Sequence, residues 1–191
     1  MGLCLRVWRS GLAFSDHELS GVAGSIRRSS ENRNTKKTMA TDNTNTIRLY
    51  RVLRASPEKV YRAFVDADAM AKWLPPNGFT GKVHHMDAKV GGTYQMSFSN
   101  FTTGKSHSFG GTYLELVPHE RIRYTDKFDD TNLPGEMLTT VTLKGVFCGT
   151  ELNITQEGVP GSIPAEACYL GWQESLTLLA KLVEAEIPDQ Q

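Results

Sequence analysis

From residue 46 onward the apolar positions follow a period of 2 and later a helical period. Ile47, Leu49, Arg51 and Leu53 alternate with Arg48, Tyr50, Val52 and Arg54 in a run rich in β-branched and aromatic residues, which predicts a first strand. Ser56-Pro57-Glu58 then reads as an N-cap, a first-turn proline and a carboxylate at the positive end of a helix dipole. Val60, Ala63 and Phe64 share one face of that short helix. Asp66 or Asp68 can cap a second one running through Met70 and Trp73, and Pro75-Pro76 stops it because neither residue has an amide hydrogen to donate.

The middle of the chain predicts strand after strand: Phe79 to Asp87, Thr93 to Ser99, His107 to Val117, Arg121 to Phe128, Glu136 to Val146 and Glu151 to Glu157. The breaks between them are short and rich in turn residues (Gly91-Gly92, Asn100 to Gly104, Pro118-His119-Glu120, Asp129 to Gly135, Cys148-Gly149), so neighbouring strands are expected to pair antiparallel. By the period-2 rule Tyr94, Met96 and Phe98 share a dry face, as do Phe109, Tyr113 and Val117, then Ile122, Tyr124 and Phe128, then Val141 and Leu143, and Leu152 and Ile154.

After Glu157 the period changes. Gly158 to Gly161 reads as a loop and Pro164 suits a first helical turn; Ala165, Tyr169, Trp172, Leu176, Leu179 and Val183 then form an apolar stripe over about five turns. A one-faced antiparallel sheet and a long amphipathic C-terminal helix can cover each other if the sheet curls around the helix, which is an α+β architecture. Where the sheet stands off the helix a cavity is expected, and spaces between layers commonly hold small molecules.

Composition narrows the function classes. The chain has 191 residues, 21 basic and 21 acidic side chains, and no apolar run long enough to span a membrane. The zero net charge is a cancellation: residues 1–38 carry seven Lys or Arg against three acids, whereas residues 39–191 carry 14 basic and 18 acidic side chains. An acidic domain is a poor general nucleic-acid binder, because it lacks the basic surplus that displaces phosphate counterions. Residues 1–45 are expected to be a disordered or mis-annotated extension, with Met39 as an alternative start; an Arg-rich transit peptide is the competing reading, spoiled by Asp16 and Glu18. Residues 46–187 make the domain. Cys4, Cys148 and Cys168 are odd in number with no Cys-x-x-Cys spacing, so neither a disulfide framework nor a zinc knuckle is indicated, and a reducing, cytoplasmic location fits best.

Candidate chemistry is sparse. His84 and His85 are adjacent on a strand, so they point to opposite faces and do not chelate one metal together; His85, in phase with Phe79 and Val83, is the one expected to face inward. Asp126, Asp129, Asp130 and Glu136 group around one loop, where a solvated rim is the expectation. Gly78-Phe79-Thr80-Gly81-Lys82 is not a phosphate loop, since its glycines are too close and no Ser or Thr follows Lys82. No metal, cofactor or catalytic set is expected. What favours binding is the combination of polar tips on an apolar lining. The expected cavity is lined by Trp73, Phe79, His85, Tyr94, Met96, Phe98, Phe109, Tyr113, Tyr124, Met137, Gln156, Tyr169 and Trp172, with Pro75-Pro76-Asn77-Gly78 closing one end.

Seven segments, in order, resemble one family: Thr46 to Leu49 with Arg54 to Val60, Lys72-Trp73-Leu74, Asp87 to Tyr94, Gly111 to Glu115, Val117 to Arg121, Gly149 to Leu152 and Gly171 to Leu176. Together they make the chain similar to the heat-shock ATPase activator homologue-like family of the SRPBCC (START-like) superfamily, over about 140 of 191 residues. The resemblance implies the helix-grip fold: an antiparallel sheet wrapped around a long C-terminal helix, with two short helices between the first and second strands. It constrains function less, because one fold hosts many activities. Stand-alone members resemble binders of lipids, hydrophobic metabolites or polyketides, so the leading expectation is binding of a small hydrophobic or amphipathic ligand. The alternatives are a polyketide cyclase-like or hydrolase-like enzyme using His85, Tyr113 or Asp126 as acid or base, and a chaperone-regulating module. The last is disfavoured because about 45 polar residues precede the first strand, too few for the separate domain that engages the chaperone in the eukaryotic namesake. Homodimerisation is compatible with the sequence, but no feature decides it.

Overall fold

A computed structural model describes residues 44–188. The expectations about the N-terminal extension lie outside the described residues. The elements run β1 (Thr44–Leu53), α1 (Pro57–Val65), α2 (Ala67–Trp73), β2 (Phe79–Met86), β3 (Thr93–Asn100), β4 (Ser106–Val117), β5 (Arg121–Phe128), β6 (Met137–Val146), β7 (Gly149–Pro160) and α3 (Ala165–Val183). The seven strands form one antiparallel sheet in the order β1-β7-β6-β5-β4-β3-β2. Strands β2 to β7 are a meander of hairpins, and β1 closes on β7 from the other end of the chain. The helix-grip arrangement implied by the resemblance is the one observed.

Local chemistry sets each boundary. Ser56 Oγ accepts from Lys59 N–H at 3.4 Å to cap α1, and Asp66 Oδ1 accepts from Ala69 N–H at 2.8 Å to cap α2. Trp73 Nε1–H donates to the Ala63 carbonyl at 2.7 Å and its ring meets Phe64 edge-on, which locks the two short helices together. The Pro75-Pro76 stop is buried, and α3 holds it: Ser175 Oγ lies 2.7 Å from the Leu74 carbonyl, and Glu174 Oε2 accepts from Asn77 N–H at 3.2 Å. The segment expected as a loop after Glu157 remains strand as far as Pro160, because β7 lies between two partners and Thr44 and Asn45 pair with Pro160 and Val159.

The core lies between the concave side of the sheet and the three helices. Along α3 the stripe expected from sequence is buried from Trp172 through Leu176, Leu179 and Val183, and it is broadened by the small residues Cys168, Gly171 and Ser175. The anticipated dry face is buried at Tyr94, Met96, Phe98, Phe109, Tyr113, Ile122, Tyr124, Phe128, Val141, Leu143, Leu152 and Ile154. Val117 is an exception. A bulge between Tyr113 and Glu115 reverses the phase of β4, so Leu116, opposite buried Ile122, packs on the core in its place.

Candidate functional site

Consecutive strand partners place a polar row across the inner face of the sheet: Tyr113 opposite Tyr124, Tyr124 opposite Thr139, Thr139 opposite Gln156, and Gln156 opposite Ile47. All five side chains are buried. Tyr94 joins from β3. The three tyrosine rings form a triangle with centroid separations of 5.5 Å (Tyr94 to Tyr113), 5.8 Å (Tyr94 to Tyr124) and 6.2 Å (Tyr113 to Tyr124). The Tyr94 hydroxyl donates to the Thr125 carbonyl at 3.1 Å.

Asp126 sits inside this group. Expected on a solvated rim, it is instead 1% exposed, opposite buried Met137. Its loop neighbours Asp129 and Glu136 are exposed, as a rim requires. The difference is phase: Asp126 alternates in step with Ile122, Tyr124 and Phe128, all facing the core. Burial pushes the Tyr94, Tyr113 and Tyr124 hydroxyls up from their usual range near 10. The Asp126 charge adds to each shift, following burial for Tyr94 and Tyr124 and following burial and Tyr61 on α1 for Tyr113. All three therefore remain neutral hydrogen-bonding groups at physiological pH. The buried polar side chains among the described residues are Ser97, Asp126, Thr139, Thr150, Gln156 and Ser175, so the interior contains a carboxyl and no ammonium or guanidinium.

Gln156 links the row to α3. Trp172 Nε1–H donates to Gln156 Oε1 at 3.0 Å. An indole nitrogen only donates, so this bond fixes which end of the amide faces the tryptophan and turns Nε2, with two N–H donors, the other way. Among the described residues Nε2 meets no acceptor, although Gln156 is 0% exposed.

The other residues expected to line a cavity separate into groups. Met96, Phe98 and Phe109 continue the interior as an apolar end, with the Phe98 and Phe109 rings edge to face at 4.8 Å. Met137 is buried beside Asp126, Phe79 is half-buried at the start of β2, and Trp73 is occupied as the α1–α2 staple. Tyr169 is displaced to the sheet margin, where its hydroxyl accepts from Arg48 N–H of the edge strand at 3.2 Å. His85 does not face inward. A bulge between Val83 and His85 inserts His84 into β2, so His85 pairs with outward Gln95 and is exposed, while Met86 returns to the core opposite Tyr94. His84 also stays outside, with Nε2 and the Ser97 hydroxyl 2.9 Å apart. An acid–base reaction through His85 is therefore ruled out for this interior, and Asp126 and the tyrosines are its remaining acid–base groups. No group of three or more His, Cys, Asp or Glu able to hold a metal occurs among the described residues.

Surface depressions lie elsewhere. One of about 310 Å³ is bordered by Lys59, Arg62, Asp66, Lys72 and Leu182, and one of about 490 Å³ by Ser106, His107, Phe128 and Asp129. Neither is lined by Tyr94, Tyr113, Tyr124, Asp126, Gln156 or Trp172. Their charged groups lie at the surface, whereas the side chains of the interior row are buried.

The fold and this interior can be set beside known proteins. A protein of Chromobacterium violaceum has a crystal structure 63% identical in sequence, with a TM-score of 0.74, covering 74% of this chain and 99% of its own. An uncharacterised protein of Rhizobium leguminosarum is 25% identical, with a TM-score of 0.61 over 75% of this chain and 96% of its own. An AHSA1-like protein of Aeromonas hydrophila, 20% identical with a TM-score of 0.61 over 73% of this chain and 92% of its own, shares the fold. No functionally curated protein matches the chain. No helix among the described residues is long and apolar enough to cross a membrane. The fold is a general scaffold for ligand binding, and the family model described as Activator of Hsp90 ATPase homolog 1-like protein matches residues 54–184. With that match across most of the ordered elements, the chain belongs to the Activator of Hsp90 ATPase homolog 1-like family of the SRPBCC superfamily.

Proposed function

We propose that the protein binds a small hydrophobic or amphipathic molecule between the concave face of the sheet and α3, with the polar part of the ligand at the Gln156, Asp126 and tyrosine row. The observation that carries this reading is a carboxyl, an amide and three phenols held together inside a core whose other walls are Met96, Phe98, Phe109 and Trp172. Within this group Gln156 Nε2 has no partner among the described residues, and a buried polar atom left that way costs about 1 to 3 kcal/mol, which an acceptor on a ligand would relieve. The interior side chains are packed, so uptake requires them to move apart rather than a ligand dropping into an open hole. The odd number of cysteines and the lack of a Cys-x-x-Cys spacing favour a reducing compartment, the cytoplasm, as the place of action.

Native mass spectrometry of protein purified without added ligand is expected to show a co-purified compound that is lost on denaturation. A crystal structure of that complex is expected to place it against Gln156 and Trp172. A compound seated in a surface depression would overturn the reading. The second reading, a polyketide cyclase-like or hydrolase-like reaction in the same interior, is favoured by Asp126 lying beside Tyr94, Tyr113 and Tyr124. It requires turnover of the bound compound that Asp126→Asn abolishes while binding persists.

A further inference from the structure

The interior also restricts what kind of polar group a ligand can carry. Trp172 Nε1–H takes Gln156 Oε1 at 3.0 Å, so the amide cannot flip without setting two donors against each other. Gln156 Nε2 therefore turns two N–H groups into the packed interior, where they meet no acceptor among the described residues. Its neighbours along the row are Thr139 on one side and Ile47 on the other, with the Tyr124 ring beyond Thr139. Such a donor is satisfied by an oxygen acceptor carried in by a guest.

That oxygen can belong to a neutral carbonyl or to a carboxylate, and the surroundings discriminate. A carboxylate taken from water into this interior would need a buried cation, and none of the buried polar side chains among the described residues is basic. The aromatic walls of Tyr94, Tyr113, Tyr124 and Trp172 suit a flat unsaturated body.

Resting on the binding reading above, we infer that the ligand is a neutral carbonyl compound with an aromatic or similarly flat apolar body, a ketone, ester, lactone or amide, whose oxygen accepts from Gln156 Nε2. Fatty acids and other carboxylates are thereby excluded as the preferred class.

Three probes of one shape separate these cases: 2-acetylnaphthalene, 2-ethylnaphthalene and 2-naphthoate, titrated calorimetrically into the full chain, with the side-chain amide resonance of Gln156 followed in nitrogen-15 spectra. The ketone is expected to bind roughly tenfold tighter than the ethyl compound, the worth of one buried hydrogen bond, and naphthoate weakest of the three. The Gln156 amide protons are expected to shift with the ketone alone, and Gln156→Leu to erase the ketone's advantage over the ethyl compound. Should that variant fail to fold, the resonance of the unmodified chain still decides. Naphthoate binding as tightly as the ketone, or a ketone no tighter than the ethyl compound with the amide resonance unmoved, overturns the inference. If none of the probes binds while native mass spectrometry still finds a compound in the interior, this assignment fails and the binding reading stands. If neither is seen, both fail.

Discussion

At the scale of single residues, burial of the tyrosines sets a pH limit on the fold. In the unfolded chain Tyr94, Tyr113 and Tyr124 ionise near 10, whereas in the folded protein burial and the nearby Asp126 carboxyl hold all three above that value. Above pH 10 the unfolded state thus binds fewer protons than the native one, and stability falls as pH rises. Below pH 10 this contribution is fully present. The slope is about 1.4 kcal/mol per pH unit for each group, so about 4 for the three while all remain protonated in the folded state. Urea denaturation at stepped alkaline pH is expected to show this decline, and phenolate absorbance to appear for these tyrosines only with unfolding. Tyrosine ionisation in which these three titrate before any loss of fold would contradict the buried cluster. The position of Asp126 was legible, since it alternates in step with Ile122, Tyr124 and Phe128. The loop acids that follow it in sequence obscured that phase.

At the scale of elements, glycines show how tightly the strands supporting the site approach one another. A methyl group on Gly111 of β4 would run into the Thr125 carbonyl, the same oxygen that accepts from Tyr94. On Gly145 of β6 it would meet only Pro57 Cγ at 3.6 Å, an ordinary contact. Gly111→Ala is therefore expected to lower stability by about 2 to 3 kcal/mol and to disturb the tyrosine triangle, while Gly145→Ala stays within about 0.5 kcal/mol of the parent. Urea midpoints and near-ultraviolet circular dichroism measure both. Equal effects would mean that the β4–β5 approach is looser than described. The elements themselves were readable because each has a local cause: alternation for the strands, Ser56 and Asp66 for the helix starts, Pro75-Pro76 for the stop. The bulges in β2 and β4 have no such mark. They reverse which residues face inward after His84 and Leu114, and so moved His85 out of the site and put Leu116 in the place expected for Val117.

For the whole molecule, the first strand and the last helix hold the two ends of the domain together. β1 pairs along its length with β7, Glu184 Oε1 accepts from Arg54 N–H at 3.1 Å, and Lys59 Nζ donates to the Ala185 carbonyl at 2.7 Å. The Chromobacterium violaceum chain is matched over 99% of its own length by 74% of this one. A protein comprising residues 44–191 is accordingly expected to unfold in one cooperative step at the urea midpoint of the full chain. A clear loss of cooperativity would show that the preceding residues take part in the fold. Removal of β1 as well is expected to abolish folding, because it leaves one edge of β7 unpaired and takes the buried side chains of Ile47 and Leu53 out of the core.

The sequence by itself determined the element order, the dry face of the sheet, the apolar stripe of α3 and the family, because these depend on local periodicity, capping and turn chemistry that each segment carries within itself. The site followed only in part. Tyr94, Tyr113, Tyr124, Gln156 and Trp172 could be set facing inward from phase alone. That they form one polar group with Asp126, that Trp172 orients Gln156, and that Trp73, Tyr169 and His85 are spent elsewhere depended on strand register and on contacts between segments far apart in the chain. A one-residue bulge changes such relations without changing the composition of the strand, so only the tertiary structure decided them.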